Sequence, residues 1–363
     1  MARPPQTPFT RLARDVAGTV HTDPASRELY ACDASLYRRL PQAVLRAAHA
    51  DDLAAAVAAC AHHGVALTMR GAGTSLAGQS VGTGLVVDAT ALSGIAVDAG
   101  ARTATVGPGA VLDQLNAAAA PFGLTFGPDV ATASRATLGG MVSNNSAGMR
   151  SVVYGLTADH VESLDVVLAD GTTATLRRGV APPAQVAACA DLAAAWEGPS
   201  LMRRVSGYAL DALAGPDPDW PRLVCGSEGT LAVITAATVR LVPVPAHRSL
   251  VLMPFGRVED ALAAVADVLT TGPSAIELLD HAMLDPRNRP AAVAHLTAFG
   301  DGVGAMLMVE YQGSRDDVEA GLALHAGRDV VRDPAQQRLV WAVRRAGLAH
   351  AMSGEGVAHV GPD

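Results

Sequence analysis

Lysine does not occur in this chain of 363 residues; all 27 of its basic side chains are arginine. A Walker-type phosphate loop needs its lysine and a pyridoxal-phosphate enzyme needs a Schiff-base lysine, so both classes are excluded. Cysteine is scarce. Cys32, Cys60, Cys189 and Cys225 stand far apart without a C-x-x-C pair, so neither a zinc ribbon nor an iron–sulfur cluster carried by this chain is expected. No uninterrupted apolar run reaches the roughly 18 residues of a membrane helix. The opening MARPPQTPFTRLARDV lacks the apolar stretch of a signal peptide. With a net charge of −8 and its arginines spread along the chain, the protein offers nucleic acid no basic face. The 11 histidines form no metal-type pair, and the adjacent His62 and His63 point in different directions. These absences leave a soluble cytoplasmic protein with no metal, peripheral attachment to a membrane being left open.

What is present is apolar bulk: 50% of the residues are hydrophobic, enough for two or three packed domains. Residues 1–35 read as a helical lead-in. Asp51 and Asp52 are placed to cap a helix that stops at Gly64. Strands follow at 65–69, 84–90 and 103–107, then a helix to about Ala120. Two strands joined at Asp170-Gly171 fill 161–176, a helical stretch spans 185–213, and a strand pair covers 230–245. After Pro245 the strands 249–255, 274–280 and 304–313 alternate with two helices, and a third helix covers 333–352. That alternation predicts a smaller α+β sheet, ferredoxin-like in part.

Three small-residue loops carry the chemistry. Arg70-Gly-Ala-Gly-Thr-Ser-Leu-Ala-Gly78 leaves a strand but returns to a strand, so it is not the G-x-G-x-x-G that opens a helix. Its glycines and hydroxyls can still present backbone N–H groups to an anion. The second loop is Thr137-Leu-Gly-Gly-Met-Val-Ser-Asn-Asn145 and the third is Gly226-Ser-Glu-Gly-Thr-Leu231. Three such loops at strand ends within one domain point to one extended ligand, and a dinucleotide has that shape.

Taken in order, the first loop, Phe126-Gly-Pro-Asp129, Ala136-Thr-Leu-Gly-Gly140 with Asn144-Asn145-Ser-Ala-Gly148, and Cys225-Gly-Ser-Glu-Gly-Thr-Leu231 closely resemble the PCMH-type FAD-binding domain of the vanillyl-alcohol oxidase superfamily. Within it, the likeness is to the D-lactate dehydrogenase and glycolate oxidase group. The resemblance implies an α+β fold: a two-subdomain FAD-binding domain over 36–245, then a partial ferredoxin-like α+β cap over 246–363. It also implies that Arg70, Gly71, Ala72, Gly73, Thr74 and Ser75 wrap the FAD pyrophosphate, with Ala77 and Gly78 finishing the loop. Pro128 and Asp129 are expected near the cofactor. Thr137, Gly139, Gly140, Ser143, Asn144, Gly148 and Gly155 are expected to line its diphosphate and flavin side, and Glu228, Gly229, Val233 and Ile234 to touch the nucleotide or ring. Some members tether the flavin through His or Cys; from Arg70 to Val81 this chain has neither, so non-covalent FAD is expected.

The chemistry implied is hydride loss from a 2-hydroxy acid to flavin, giving the 2-oxo acid. Trp341-Ala-Val-Arg344 resembles the family's Trp-x-x-Arg segment and makes Arg344 the expected partner of the substrate carboxylate, with Arg345 toward solvent. Larger relatives carry a His-rich segment late in the cap, and the sequence ends at Asp363 without one. No base is assigned, and the chain is expected to be C-terminally truncated, its cap sheet half-built. D-lactate, glycolate and D-2-hydroxyglutarate stay open, as does the electron acceptor. Two alternatives stand beside this reading: an FAD-dependent alcohol or sugar oxidase, and a flavin-binding subunit or fragment inactive without its missing half or an iron–sulfur partner.

Overall fold

Valine-rich runs punctuated by glycine and aspartate turns resolve into three sheets. The computed structural model describes residues 8–194, 207–214, 216–285 and 295–353. The chain divides into two units, Met1–Ala147 with Leu156–Pro243, and Gly148–Gly155 with Val244–Asp363.

The first sheet of unit 1 holds β1 (Thr19–His21), β2 (Ala43–Arg46), β3 (Leu67–Arg70) and β4 (Leu85–Asp88) in the order β1-β2-β4-β3. β2 and β3 both run parallel to β4, which is buried along its length, as a continuous apolar run in a parallel sheet should be. β1 pairs antiparallel with β2, inside the stretch expected to be a helical lead-in. Two short helices, Pro8–Asp15 and Pro24–Leu29, lie in the same stretch, whose residues 1–7 fall outside the described ones.

The helix Ala50–His63 packs Leu53, Ala56, Val57 and Cys60 into this core and stops at Gly64 with φ 62°. Its start differs from the expectation. The cap position falls on His49, and Asp52 lies in the first turn. The Asp52 carboxylate, 3% exposed, accepts backbone N–H bonds from Ala17 at 2.8 Å, Gly18 at 2.9 Å, Ala48 at 2.7 Å and His49 at 3.2 Å.

The second sheet of unit 1 contains β5 (Ile95–Asp98), β6 (Thr103–Val106), β7 (Leu124–Phe126), β8 (Val161–Leu168), β9 (Thr173–Arg177) and β10 (Ala232–Pro243). Its order is β5-β6-β10-β8-β9, and β7 also pairs with β10. Where a strand pair was expected at 230–245 there is one strand of 12 residues, because no turn residue interrupts AVITAATVRLVP; a register shift between Ile234 and Ala236 absorbs the mismatch instead.

In unit 2, β11 (His247–Phe255), β12 (Ala275–Asp280), β13 (Ala305–Gly313) and β14 (Asp329–Val331) form an antiparallel sheet ordered β12-β13-β11-β14. With the helices Val258–Leu269 and Arg315–Ala323 the chain order is β-α-β-β-α-β, the ferredoxin-like arrangement. The fourth strand, only three residues long, was not foreseen, so the sheet holds more than the half-built one expected. The two helices cover one face; the helix Pro334–Ser353 lays Val340, Trp341 and Val343 on the other, against Leu250, Leu252, Met306 and Met308.

Burial alone would raise the Asp52 pKa, but the four N–H bonds outweigh it and hold the carboxyl below the ordinary range. A carboxyl depressed in the folded state contributes stability that is complete above its unfolded pKa of about 4 and disappears as pH falls through the folded value. Asp52→Asn should lower unfolding stability near neutral pH by about 1–3 kcal/mol. In urea titrations across pH, the wild-type and variant curves should converge below about pH 4.

Candidate FAD site and substrate-side cluster

Within unit 1 the three loops meet. The first, between β3 and β4, approaches the second so closely that a Cβ on Gly71 would lie 2.3 Å from Thr137 Oγ1. Thr137 caps the short helix Leu138–Asn144 and accepts the Gly140 N–H at 3.4 Å. Gly139 donates its N–H to Pro108 O at 2.9 Å, and a Cβ there would stand 2.7 Å from Pro108 Cβ. That helix ends on Asn145 with φ 49°, whose side chain accepts the Ala158 N–H at 2.9 Å. The third loop hangs from the second: Gly226 N–H donates to Val142 O at 3.0 Å and Glu228 N–H to Ser143 O at 2.9 Å. Gln79 closes the ring, donating to Glu228 Oε1 at 3.1 Å.

The Arg70 guanidinium is turned back beneath its own loop. It donates to Cys32 O at 2.8 Å and Ser80 O at 3.3 Å and stacks 5.3 Å from the Tyr30 ring. Gly73, with φ 66°, lies against it, and a Cβ at that position would meet Arg70 Nη2 at 2.6 Å. The segment 30–37, which the sequence did not mark, braces this loop: Ser80 Oγ donates to Asp33 at 2.8 Å and Ala34 N–H to Gly73 O at 3.0 Å. Tyr30 donates to Asp88 at 2.5 Å; burial and that carboxylate push its pKa up to about 12.

The side chains left unspent are hydroxyls. Thr74, Ser75 and Ser143, all half-buried, make no side-chain hydrogen bond among the described residues. Ser227 Oγ is buried without a partner. A buried hydroxyl left unpaired costs about 1–3 kcal/mol, which applies to Ser227; with the three half-buried hydroxyls beside it, the touching loops fit a ligand rich in phosphate and ribose oxygens. Ala72, Ala77, Gly140, Asn144 and Glu228 are exposed, Gly71, Gly73, Gly78, Asp129 and Gly229 half-buried, and Pro128, Thr137 and Gly139 buried. Val233 and Ile234 face opposite sides of β10 and pack into separate cores. Val233 also borders, with Gly229, Val57, Cys60 and Leu67, a groove of about 210 Å³. Burial pushes the Cys225 thiol far up and leaves it inert.

Gly148, Gly155 and Arg344 belong to unit 2. Gly155 takes φ 68° at the end of the helix Ser151–Tyr154. Arg344 donates through Nε to Glu277 Oε2 at 2.6 Å, and Arg345 is exposed as expected. Beside them Arg150 grips Glu310 with two bonds of 2.6 Å, the side chains 11% and 1% exposed, and lies 5.6 Å from the Trp341 ring. Ser274 Oγ adds a bond to Glu310 at 3.0 Å. Trp341 Nε1 is buried without an acceptor. Glu277 and Glu310 were not singled out from the sequence, although an acidic residue interrupting an apolar strand, as in AIELLD and AMLMVEYQG, is the signal that finds them. Among the other histidines considered, His281 is exposed and His359 lies outside the described residues. Among the described residues no helix is long and apolar enough to cross a membrane, and no group of His, Cys, Asp and Glu could hold a metal ion.

Two known domains match the chain, one mostly within unit 1 and the other within unit 2. The model of the FAD binding domain matches residues 41–177, and that of the FAD linked oxidases' C-terminal domain matches 244–362. The chain belongs to the FAD-linked oxidase family, whose cofactor is FAD. It is 33% identical over 292 residues to a D-2-hydroxyglutarate dehydrogenase of Pseudomonas putida, covering 74% of this chain and 29% of that protein. It is 31% identical over 301 residues to the glycolate oxidase subunit GlcD of Bacillus subtilis, covering 81% and 57%. With a D-lactate dehydrogenase of Archaeoglobus fulgidus it shares 33% over 240 residues, 65% of this chain and 47% of that one. The chain thus spans less than two thirds of each of these relatives. A solved alkyldihydroxyacetonephosphate synthase has the same fold, with a TM-score of 0.67 at 18% identity, covering 96% of this chain and 64% of that one.

Gly140 is exposed, and a Cβ there meets only Thr137 Oγ1, at 3.2 Å, so a side chain can be added with little repacking. Gly140→Asp sets a carboxylate against phosphate and should weaken FAD binding at least about tenfold, whereas the neutral Gly140→Asn should lose less. Flavin titration of the apoprotein, with circular dichroism to check folding, measures both; equal affinities in all three proteins would remove Gly140 from the site.

Proposed function

We propose that this chain oxidises a small 2-hydroxy acid to the 2-oxo acid, using non-covalently held FAD and binding the substrate carboxylate at Arg344. The observation that carries the reading is the Arg344 fork. Nε is spent on Glu277, while Nη1 and Nη2 take no hydrogen bond among the described residues. An arginine one-third exposed with its outer edge open is a receptor for a planar carboxylate. The names of the relatives, all of them for 2-hydroxy acids, support the same reaction class.

FAD supplies the two-electron acceptance that the reaction needs. For its part, the chain holds the diphosphate and ribose with the loops at Arg70–Gly78, Thr137–Asn144 and Glu228–Gly229, with the free hydroxyls of Thr74, Ser75, Ser143 and Ser227 as added donors. Gly148 and Gly155 we retain as shaping the flavin side, and Pro128, Asp129, Val233 and Ile234 as the wall near the nucleotide. No base is proposed. The free thiols of Cys32, Cys60, Cys189 and Cys225 support a cytoplasmic setting. One relative is named as a subunit, which supports a second reading in which this chain works with a partner polypeptide.

Two measurements check the proposal. Acid precipitation should release the flavin into the supernatant as FAD; flavin pelleting with the protein would mean a covalent link. Anaerobic addition of D-lactate, glycolate and D-2-hydroxyglutarate in turn should bleach the flavin absorbance with at least one of them. Arg344→Met should lower the bleaching rate by about tens-fold or more at fixed substrate while leaving FAD bound. Unaltered bleaching in that variant would exclude Arg344 from the substrate site.

A further inference from the structure

Four charged side chains gather on the β12–β13 half of one face of the unit 2 sheet. Ala275 and Leu279 of β12 pack beneath the helix Pro334–Ser353, and Glu277 between them shares their side of the strand. Met306 and Met308 of β13 do the same, and Glu310 continues their row. Ala275 pairs with Glu310 and Glu277 with Met308, which makes the two carboxylates diagonal neighbours. Each is held by one arginine: Arg150 takes both oxygens of Glu310, and Arg344 takes Oε2 of Glu277 through Nε. The cluster is therefore neutral. Arg248 on β11 and Asp329 on β14, farther along the same face, add one charge of each sign.

Its unspent hydrogen-bonding capacity is one-sided. The outer edge of Arg344 is open among the described residues, and the buried Trp341 N–H, one helical turn earlier, lacks an acceptor. One carboxylate satisfies that edge. A second carboxylate on the same molecule would find no free guanidinium in the cluster among the described residues and would lie near the negative charges of Glu277 and Glu310, which oppose it.

We propose that Glu277 is a positioning and specificity residue, which fixes Arg344 by its Nε and sets the local charge so that the site accepts a 2-hydroxy acid with one carboxylate and disfavours one with two. This inference rests on the carboxylate-binding role proposed for Arg344.

The test is calorimetric titration of the FAD-loaded chain, without oxygen, with D-lactate and D-malate, which share the 2-hydroxy acid head and differ in the second carboxylate. D-lactate should bind at least about tenfold more tightly. Glu277→Gln keeps an oxygen for the Arg344 Nε–H but removes the negative charge, and should shift the ratio toward D-malate by about tenfold. Glu277→Asp keeps the charge and should keep the preference while weakening both acids. A wild-type protein that binds D-malate as tightly as D-lactate, binds neither, or has a ratio moved less than about twofold by Glu277→Gln would overturn the proposal. Flavin bleaching separates the two readings. Selective binding without bleaching by any 2-hydroxy acid would defeat the proposed reaction alone, whereas bleaching with a ratio insensitive to Glu277→Gln would defeat the role of Glu277 alone.

Discussion

Strand β10 is the member on which unit 1 is registered. β6, β7 and β8 all pair with it, so three segments far apart in sequence are positioned against one ruler of 12 residues. Its two faces feed different cores, Val233 packing with the helix Ala50–His63 and Ile234 with the cluster around Leu115, Leu138 and Phe126. The loop Cys225–Leu231 leads straight into it. The loop is anchored by main-chain bonds, Gly226 to Val142 and Glu228 to Ser143. With these main-chain bonds, and with Gln79, Ser80 and Arg70 bracing the first loop, the hydroxyls of Thr74, Ser75, Ser143 and Ser227 stay uncommitted.

Unit 2 follows the opposite logic. Its sheet face beneath the helix Pro334–Ser353 is an apolar layer of leucine, methionine and valine, and Glu310 and Arg150 are set into it. A buried ion pair is on average no more stabilising than well-packed apolar residues of the same volume, and losing one partner alone is expensive. The pair is therefore poorly explained as a device for stability. It sits beside Glu277 and Arg344, and together they form a charged cluster set into a mostly apolar layer, which supports the proposed carboxylate site.

Much of this was legible in the sequence where the signal was local. The glycine loops, the helix ending at Gly64 and the strands of the cap follow from periodicity and turn chemistry, and their order carried the family. What failed to show was long-range. β1 and β14 have three residues each and no periodicity to read; they exist only because β2 and β11 offer an edge. Asp52 reads as a helix cap, yet two of its four bonds go to Ala17 and Gly18, more than thirty residues away. Tyr30 and Asp33 lie in an unremarkable segment and acquire meaning only when the fold brings them under the first glycine loop.

The arginine of the Trp-x-x-Arg segment shows how a sequence motif underdetermines a site. Composition and spacing mark Arg344 as a cation beside a tryptophan, which fits a solvated helix face as well as a receptor. The receptor role proposed for Arg344 rests on its geometry. A solvated arginine keeps its rotamer freedom, about 2 kcal/mol of entropy that any ligand must first remove. Arg344 has already given up part of that freedom to Glu277, across the gap between the helix and β12. The bond uses Nε, the one guanidinium nitrogen that a carboxylate approaching the tip of the fork does not need. The grip of Glu277 thus prepays the ordering cost without consuming the recognition edge, and it places a negative charge where only a ligand that leaves the second half of the fork's surroundings uncharged is welcome.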